Sequence, residues 1–99
     1  MITRIWHGRT KASDADAYLA YLRETGLKDY AATPGNLSVR VWRRLEGDIC
    51  HFYTVSEWDS IGSIKRFAGE AFEQARYYEE DKKYLLEFEE HVSHFETFC

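Results

Sequence analysis

The order of strand-like and helix-like segments is the feature that most limits the fold of this chain. Residues 2–9, ITRIWHGR, have the β-branched and aromatic content of a strand. Residues 13–25 then change to the spacing i, i+3, i+4 and i+7, which places four apolar side chains on one face of a helix: Ala15, Tyr18, Leu19 and Leu22. A strand followed by an amphipathic helix is therefore expected at the start of the chain.

Capping and turn signals set the limits of this first helix. Ser13 and Asp16 form the pattern S-x-x-D, which offers side-chain oxygens to the free amides of a first turn. Gly26 is placed to end the helix in a left-handed conformation, and a short turn over residues 27–32 is expected to follow. The TPGN sequence at 33–36 has the residue preferences of a type II turn, so a new strand is expected directly after it.

The second half of the chain reads as a hairpin, a helix and a closing strand. Residues 37–45 and 49–58, joined by EGD, predict two antiparallel strands. A helix capped by Asp59 or Ser60 is expected to break near Gly69 and to resume over 71–75. A short helix across 79–86 and a last strand in HVSHFETF complete the prediction.

The resulting order βαββαβ predicts an α+β, ferredoxin-like fold in one domain, residues 1–99. Residues 2–9 should lie centrally, between 49–58 and the last strand, with the first and third strands parallel. A sheet covered on one face only should alternate between apolar and polar residues. In this chain bulky residues fall on both faces, as at Trp6 and His7 and again at Phe52 and Tyr53. The second face is therefore expected to meet another copy of the chain in a homodimer.

Composition excludes several classes of protein. The net charge of −4 argues against a nucleic-acid partner, because phosphate binding needs a basic surface. No run approaches the roughly 20 apolar residues of a membrane span, and MITRIWHGRT lacks the apolar core of a signal peptide, so a cytoplasmic protein is expected. Cys50 and Cys99 show no CxxC spacing and are predicted to be free thiols.

Several segments together resemble the antibiotic biosynthesis monooxygenase-like superfamily, the dimeric α/β-barrel group. They are IWHGRT, AYLAYLRETGL with TPGN, FYTVSEWDSIGSIKRFAGE and ARYYEED, and SEWDS, where the third strand runs into the second helix, is the most family-like of them. The resemblance implies an antiparallel sheet, a homodimer whose two sheets form a barrel, and a pocket between sheet and helices for a small hydrophobic or aromatic ligand. Members of this superfamily include cofactor-free oxygenases, haem-degrading oxygenases and proteins without an assigned activity.

Four residues are the candidates for a site in such a pocket. His7 is the candidate catalytic base, because imidazole exchanges protons near neutral pH, although a structural histidine would fit the same position. Tyr18, Trp58 and Tyr77 are the candidate walls that bind substrate. The competing interpretation of Tyr77 is packing at the edge of the core. His51 shares the ambiguity of His7 with a weaker location.

The same sequence argues against a metal site or a bound cofactor. His91 and His94 lie three residues apart, so on a strand they point to opposite faces and cannot chelate one ion. The haem-degrading branch uses an asparagine on the first strand and an axial histidine in the second helical region. This chain has His7 and Gly8 on that strand and no histidine between His51 and His91, so haem ligation is not supported.

The leading hypothesis is a cofactor-independent monooxygenase for a small aromatic or polyketide-like substrate. A deprotonated substrate of this kind can itself pass an electron to O₂, so the protein need only bind, orient, deprotonate and exclude water. The alternative is a non-catalytic ligand-binding or stress-response module of the same dimeric fold. An isomerase or decarboxylase using the same pocket is a third possibility, because fold does not determine chemistry.

Overall fold

The computed structural model describes all 99 residues. It contains four strands, four α-helices and one 3₁₀ turn (Ala12–Asp14). In chain order they are β1 (Ile2–Lys11), α1 (Ala15–Glu24), α2 (Gly26–Ala32), β2 (Asn36–Glu46), β3 (Ile49–Trp58), α3 (Ile61–Ala68), α4 (Asp81–Tyr84) and β4 (Ser93–Glu96). None of the helices combines the length and the apolar character needed to cross a membrane.

The four strands form one antiparallel sheet in the order β2-β3-β1-β4. This order confirms the ferredoxin-like α+β fold and the central position of β1 between β3 and β4. The predicted parallel pairing of the first and third strands is wrong, because β1 and β3 run antiparallel over their whole length. The reason is the direction of the neighbouring strands. β1 and β2 run the same way, and the two-residue turn at Gly47 and Asp48 reverses the chain after β2. β3, which lies between these two strands, is therefore antiparallel to both.

The sheet has two different faces, and β1 shows the difference most clearly. Its even-numbered residues 4–10 are buried beneath the helices, on what we call the covered face. Its odd-numbered residues 3–9 are half-buried and lie on the open face, which the register extends to His51, Tyr53, Val55, Trp42 and Phe95. Trp42 is 54% exposed and Phe95 is 52% exposed. Large side chains therefore do occur on both faces, as the sequence indicates.

Two clusters of buried side chains fill the space between the covered face and the helices. The first contains Trp6, Ala15, Tyr18, Leu22, Cys50, Phe52, Leu85 and Val92. The second contains Tyr30, Trp58, Ile64 and Phe67. Each fully buried large side chain contributes about 1.5–3 kcal/mol, so these clusters are the main source of stability.

The first helical region is longer than predicted. Gly26 does not end a helix in a left-handed conformation; it starts α2, and its φ is not positive. The break falls at Thr25, whose ψ is −94° and whose hydroxyl donates to the Tyr21 carbonyl at 2.7 Å. Residues 27–32, expected to form a turn, are helical because Tyr30 on that helix packs into the second cluster.

The predicted cap by Ser13 is also absent, and the carboxylate of Asp16 instead pairs with Arg43 at 2.8 Å.

The second helical region is shorter than predicted. The Ser60 hydroxyl caps α3 by accepting from the Ser63 amide at 3.2 Å, and the helix ends at Gly69 with a φ of 84°. Residues 71–75 do not resume the helix, because their backbone pairs instead with the segment before β4. Ala75 N donates to Glu90 O at 2.8 Å, and Val92 N donates to Glu73 O at 2.9 Å. The segment 69–80 therefore crosses the molecule without regular secondary structure.

Candidate functional site

A small cavity lies between the covered face of the sheet and the helices. Its volume is about 30 Å³, which is room for about two water molecules. The sheet contributes Arg4, Trp6 and Thr54, while helices α1 to α4 and the segment 69–80 contribute most of the other side chains. Four tyrosines are among them: Tyr18, Tyr30, Tyr77 and Tyr78. Six of the 13 lining residues are aromatic, and the charged groups in the lining are Arg4, Arg76 and Asp81.

A buried carboxylate stands at one side of this cavity. Asp81 is 3% exposed, and its side chain accepts hydrogen bonds from the Tyr18 hydroxyl at 3.0 Å and from the Tyr78 amide at 2.6 Å. The position is fixed locally, because Asp81 begins α4 and its carboxylate closes the turn that leads into that helix. Burial raises the pKa of Asp81 above its usual range. Burial and the Asp81 carboxylate together raise the pKa of Tyr18, so the Tyr18 hydroxyl stays protonated and donates.

Tyr77 and Trp6 form a second polar contact in the lining. The Trp6 indole donates to the Tyr77 hydroxyl at 3.2 Å, and that hydroxyl donates to the Glu89 carbonyl at 2.6 Å. The two rings meet edge to face with centroids 6.2 Å apart. The indole can take this position because Gly8 has no side chain: a Cβ there would lie 2.3 Å from Cη2 of Trp6.

A buried guanidinium without a carboxylate partner completes the polar groups of the cavity. Arg4 is 1% exposed, it belongs to no ion pair, and its Nε is buried without a hydrogen-bond partner. Its Nη atoms donate to backbone carbonyls of the segment 69–80, at Phe72 and Gln74. His94 lies 3.3 Å from Nη1, and burial followed by the charge of Arg4 lowers the pKa of His94. His94 is therefore a neutral neighbour and does not balance the charge.

Two of the predicted wall residues line the cavity and the third lies behind it. Tyr18 and Tyr77 are part of the lining, as described above. Trp58 is fully buried, and its ring lies 6.1 Å from that of Tyr30 and 5.9 Å from that of Phe67. Those two rings face the cavity, so Trp58 supports the wall and does not form its surface.

His7 lies on the open face, on the other side of the sheet from the cavity. Its Nδ1 pairs with the Glu89 carboxylate, its Nε2 lies 3.0 Å from Nδ1 of His51, and the Tyr53 ring lies tilted beside it with ring centroids 4.8 Å apart. His51 Nε2 continues the row to Glu46 at 3.3 Å. The expected placement of His7 beside the cavity is therefore corrected. The reason is strand parity: Trp6 occupies the covered face, so its neighbour must point the other way. Its role as a base stays a prediction.

The remaining histidines and cysteines do not converge on a site. His94 points to Arg4 on the covered face, whereas His91 is exposed and lies in the backbone bridge to Gln74. No group of three or more histidine, cysteine, aspartate or glutamate side chains is arranged to hold a metal ion. Cys50 is buried, Cys99 is exposed, and both are free thiols.

Sequence reasoning missed Arg4 and Asp81. Arg4 is two residues from Trp6 on the same strand, so the period-2 rule places both on one face and could have identified it. Asp81 lies in the run EEDKK, whose charge is typical of a solvated helix face. A single helical turn has too few residues to show which of its side chains is buried.

Comparisons with known proteins give the fold. No protein-family model matches the sequence, and no curated protein sequence matches it. Several solved structures do match over the whole chain. A crystal structure of an antibiotic biosynthesis monooxygenase is 15% identical with a TM-score of 0.64, and the alignment covers 100% of both chains.

Two further structures agree with this result. PA3566 from Pseudomonas aeruginosa is 16% identical with a TM-score of 0.64, covering 99% of this chain and 94% of that one. A mutant of MhuD, solved with two manganese protoporphyrin IX molecules bound per active site, is 16% identical with a TM-score of 0.63, covering 100% of this chain and 96% of that one. This chain therefore has the fold of the antibiotic biosynthesis monooxygenase structures.

Proposed function

We propose that this chain is a cofactor-independent monooxygenase that oxidises a small aromatic or polyketide-like substrate in the cavity on the covered face. The observation that carries the proposal is Asp81, a carboxylate of raised pKa that is buried among aromatic side chains and held by Tyr18. A carboxylate whose charged form is destabilised by burial is a stronger base than one in water. The fold shared with monooxygenase structures supports the same class of activity.

The reaction that fits this site needs only the substrate and O₂. A CH₂ group between two aromatic rings gives up one proton to Asp81 and becomes a carbanion that the rings stabilise. The anion passes one electron to O₂, and the two radicals combine to form the C–O bond of a peroxide anion, which takes the proton back from Asp81 and becomes a hydroperoxide. Loss of water from this hydroperoxide breaks the O–O bond, removes the second hydrogen and leaves a carbonyl, so R₂CH₂ and O₂ give R₂CO and H₂O.

Each lining group has a task in this scheme. Asp81 takes the proton, and the Tyr18 hydroxyl, which donates to Asp81, orients the carboxylate. Trp6 and Tyr77 form the apolar wall that keeps water from the anion. Trp58 acts on the substrate through the rings of Tyr30 and Phe67, which it supports.

The cavity must enlarge before a substrate of this size can bind. Small-molecule pockets generally measure about 300–1,000 Å³, far more than the 30 Å³ of this cavity. Most of the wall without regular secondary structure belongs to the segment 69–80, which carries Arg76, Tyr77 and Tyr78. Outward movement of this segment is the simplest way to admit a ligand, because it leaves the sheet and the helices α1 and α3 in place.

The functional unit in this proposal is a homodimer joined through the open faces. Trp42 and Phe95 expose large apolar surfaces there, next to the half-buried Ile5 and Tyr53. Large exposed apolar surfaces are typical of interfaces between subunits. A second copy of the same face would cover them.

Oxygen uptake with a polyhydroxylated anthrone, which has an activated CH₂ group, tests the proposed activity. The wild type should consume one O₂ per anthrone and form the matching anthraquinone, detected by its absorption. Asp81→Asn should lower the rate by about 10²–10⁴-fold, because it removes the proton acceptor. His7→Ala is the matched control on the open face and should leave the rate within a few-fold.

The outcomes separate the competing assignments. If His7→Ala abolishes uptake and Asp81→Asn does not, the base is His7 and Asp81 does not accept the proton. Anthrone binding without any oxygen uptake would refute the monooxygenase and favour a non-catalytic ligand-binding module.

A further inference from the structure

We propose that the ligand of this cavity is an organic anion and that Arg4 binds its charged oxygen. This inference takes the site from the proposed function but concerns binding, so it does not require that oxygenation occurs. It predicts that phenolates, enolates or carboxylates on an aromatic body bind better than their neutral counterparts.

The first argument is the charge of Arg4. A charged side chain that is 1% exposed normally has an oppositely charged partner, because an isolated buried charge is costly. Arg4 forms none of the ion pairs in the structure, and the titratable side chain within hydrogen-bond distance of it is His94, whose pKa is lowered by burial and by Arg4 itself. The backbone carbonyls of Phe72 and Gln74 accept from it but carry no net charge.

The second argument is the geometry of the guanidinium. Arg4 lines the cavity, and its Nε is a buried donor without an acceptor. Buried donors in proteins are nearly always hydrogen-bonded, so an unpaired one at a cavity wall indicates an acceptor that a ligand supplies. A guanidinium N–H group bonded to an anionic oxygen is about twice as strong as a neutral hydrogen bond.

The third argument is the balance of charge over the whole lining. Arg76 also lines the cavity, but it is half-exposed, and its guanidinium is shared with Asp29 at 3.5 Å and with the Phe67 carbonyl at 3.0 Å. Asp81 is the only carboxylate in the lining, against the two guanidinium groups of Arg4 and Arg76, and its oxygens accept from the Tyr18 hydroxyl and the Tyr78 amide. The cavity therefore has an excess of positive charge, which one negative oxygen at Arg4 would balance.

This arrangement also gives the site a chemical selectivity. Arg4 would stabilise the deprotonated form of a weakly acidic substrate, while Asp81 accepts the proton that is lost. Substrates that cannot form an anion would leave Arg4 without a partner, and a site with a buried unpaired group rejects such ligands strongly.

Binding of two ligands of the same shape tests the inference directly. 2-Naphthoate carries a carboxylate where 2-naphthamide carries a neutral amide, so the cost of opening the cavity is common to both. Isothermal titration calorimetry should show naphthoate binding about 10-fold tighter or more to the wild type. Arg4→Met should weaken naphthoate binding by about 10- to 100-fold, the range of one hydrogen bond to a charged group, and change naphthamide binding by less than about 3-fold.

Two controls protect this comparison. Arg9→Met removes the same charge from the same strand, but on the open face, where Arg9 pairs with Glu87 at 2.8 Å, and it should leave both affinities unchanged. Arg4→Gln replaces Arg4→Met if the latter does not fold, as judged by circular dichroism, and should give the same loss of naphthoate binding.

The same calorimetric titrations can overturn the inference. Equal wild-type affinity for naphthoate and naphthamide, or equal weakening of both by Arg4→Met, would show that Arg4 does not recognise a negative charge. Oxygen uptake keeps the two proposals apart. If Arg4 selects naphthoate but the wild type consumes no oxygen with the anthrone, only the oxygenase is refuted. If Arg4→Met consumes oxygen with the anthrone as fast as the wild type, only the anion site is refuted.

Discussion

The contact between Gly8 and Trp6 leads to a prediction about stability that needs no ligand. In Gly8→Ala, the new Cβ would lie 2.3 Å from Cη2 and 2.5 Å from Cζ2 of Trp6, and 3.1 Å from a Leu85 methyl carbon. Carbon atoms in contact are normally about 3.5–4.0 Å apart. The indole is rigid and 6% exposed, so it cannot turn aside within its present surroundings. The substitution must therefore displace Trp6 and its hydrogen bond to Tyr77.

The expected loss follows from overpacking in a small domain. Extra carbon atoms in a packed core cost about 1–3 kcal/mol. In a domain of about 100 residues each kcal/mol lowers the melting temperature by about 4–8 °C, so Gly8→Ala should lower it by about 4–24 °C. Gly62→Ala is the matched control, because it makes the same chemical change inside α3, where the nearest atom is 3.7 Å away. Replacing a helical glycine by alanine should stabilise by about 0.5–1 kcal/mol.

Thermal unfolding followed by circular dichroism measures both changes under one set of conditions. The reasoning requires opposite signs for the two substitutions. The double variant Trp6→Phe with Gly8→Ala should recover part of the loss, because the smaller ring makes room for the methyl group. If Gly8→Ala melts with the wild type, Trp6 does not depend on the empty space at position 8, and the packing inferred for this wall of the cavity is incorrect.

Three other measurements test separate features. Light scattering at low micromolar concentration should give about twice 11.7 kDa, because the open face exposes Trp42 and Phe95; a folded monomer would contradict the homodimer. The pKa of Asp81 is raised in the folded state. Its stabilising contribution to the free energy of unfolding is therefore complete below its ordinary pKa of about 4 and is lost as pH rises. In urea unfolding, the free energy of unfolding of Asp81→Asn should therefore increase relative to that of the wild type as pH rises from 4 to 7. If the difference between the two proteins does not change with pH, the charged form of Asp81 is not destabilised by burial. A thiol reagent should label Cys99 rapidly and Cys50 only after unfolding, whereas equal rates would mean that β3 is open to solvent.

The sheet could be predicted from the sequence because its signals are local. The bounds of β3 agree with the prediction at both ends, and those of β2 differ by one residue at each end. A two-residue turn and the alternation of side chains determine such a hairpin without reference to the rest of the chain. The positive φ of 93° at Gly35, which precedes β2, was predictable for the same reason.

The helical regions and the site depend on distant contacts, which the sequence does not show. Residues 71–75 have a helical spacing of apolar side chains, but their amide and carbonyl groups bond to residues 90–92, close in space and distant along the chain. Strand parity separates His7 from Trp6, but it does not say which of the two faces the helices cover. That choice depends on packing. Packing places His7 on the open face, away from the cavity, so the proposed base is Asp81, which lies in the acidic run EEDKK.

The small volume of the cavity has a consequence for the rate of ligand binding. A ligand larger than about two water molecules can enter only after the wall opens, and opening breaks contacts such as that between the Tyr78 hydroxyl and Asp29 and that between Tyr77 and Glu89. If the open form is rare, the measured dissociation constant exceeds the intrinsic one by the inverse of its population. In a stopped-flow experiment the observed rate should then level off at high ligand concentration, at a value set by the protein alone and equal for different ligands. Weakening the Tyr78 contact, as in Tyr78→Phe, should raise that plateau.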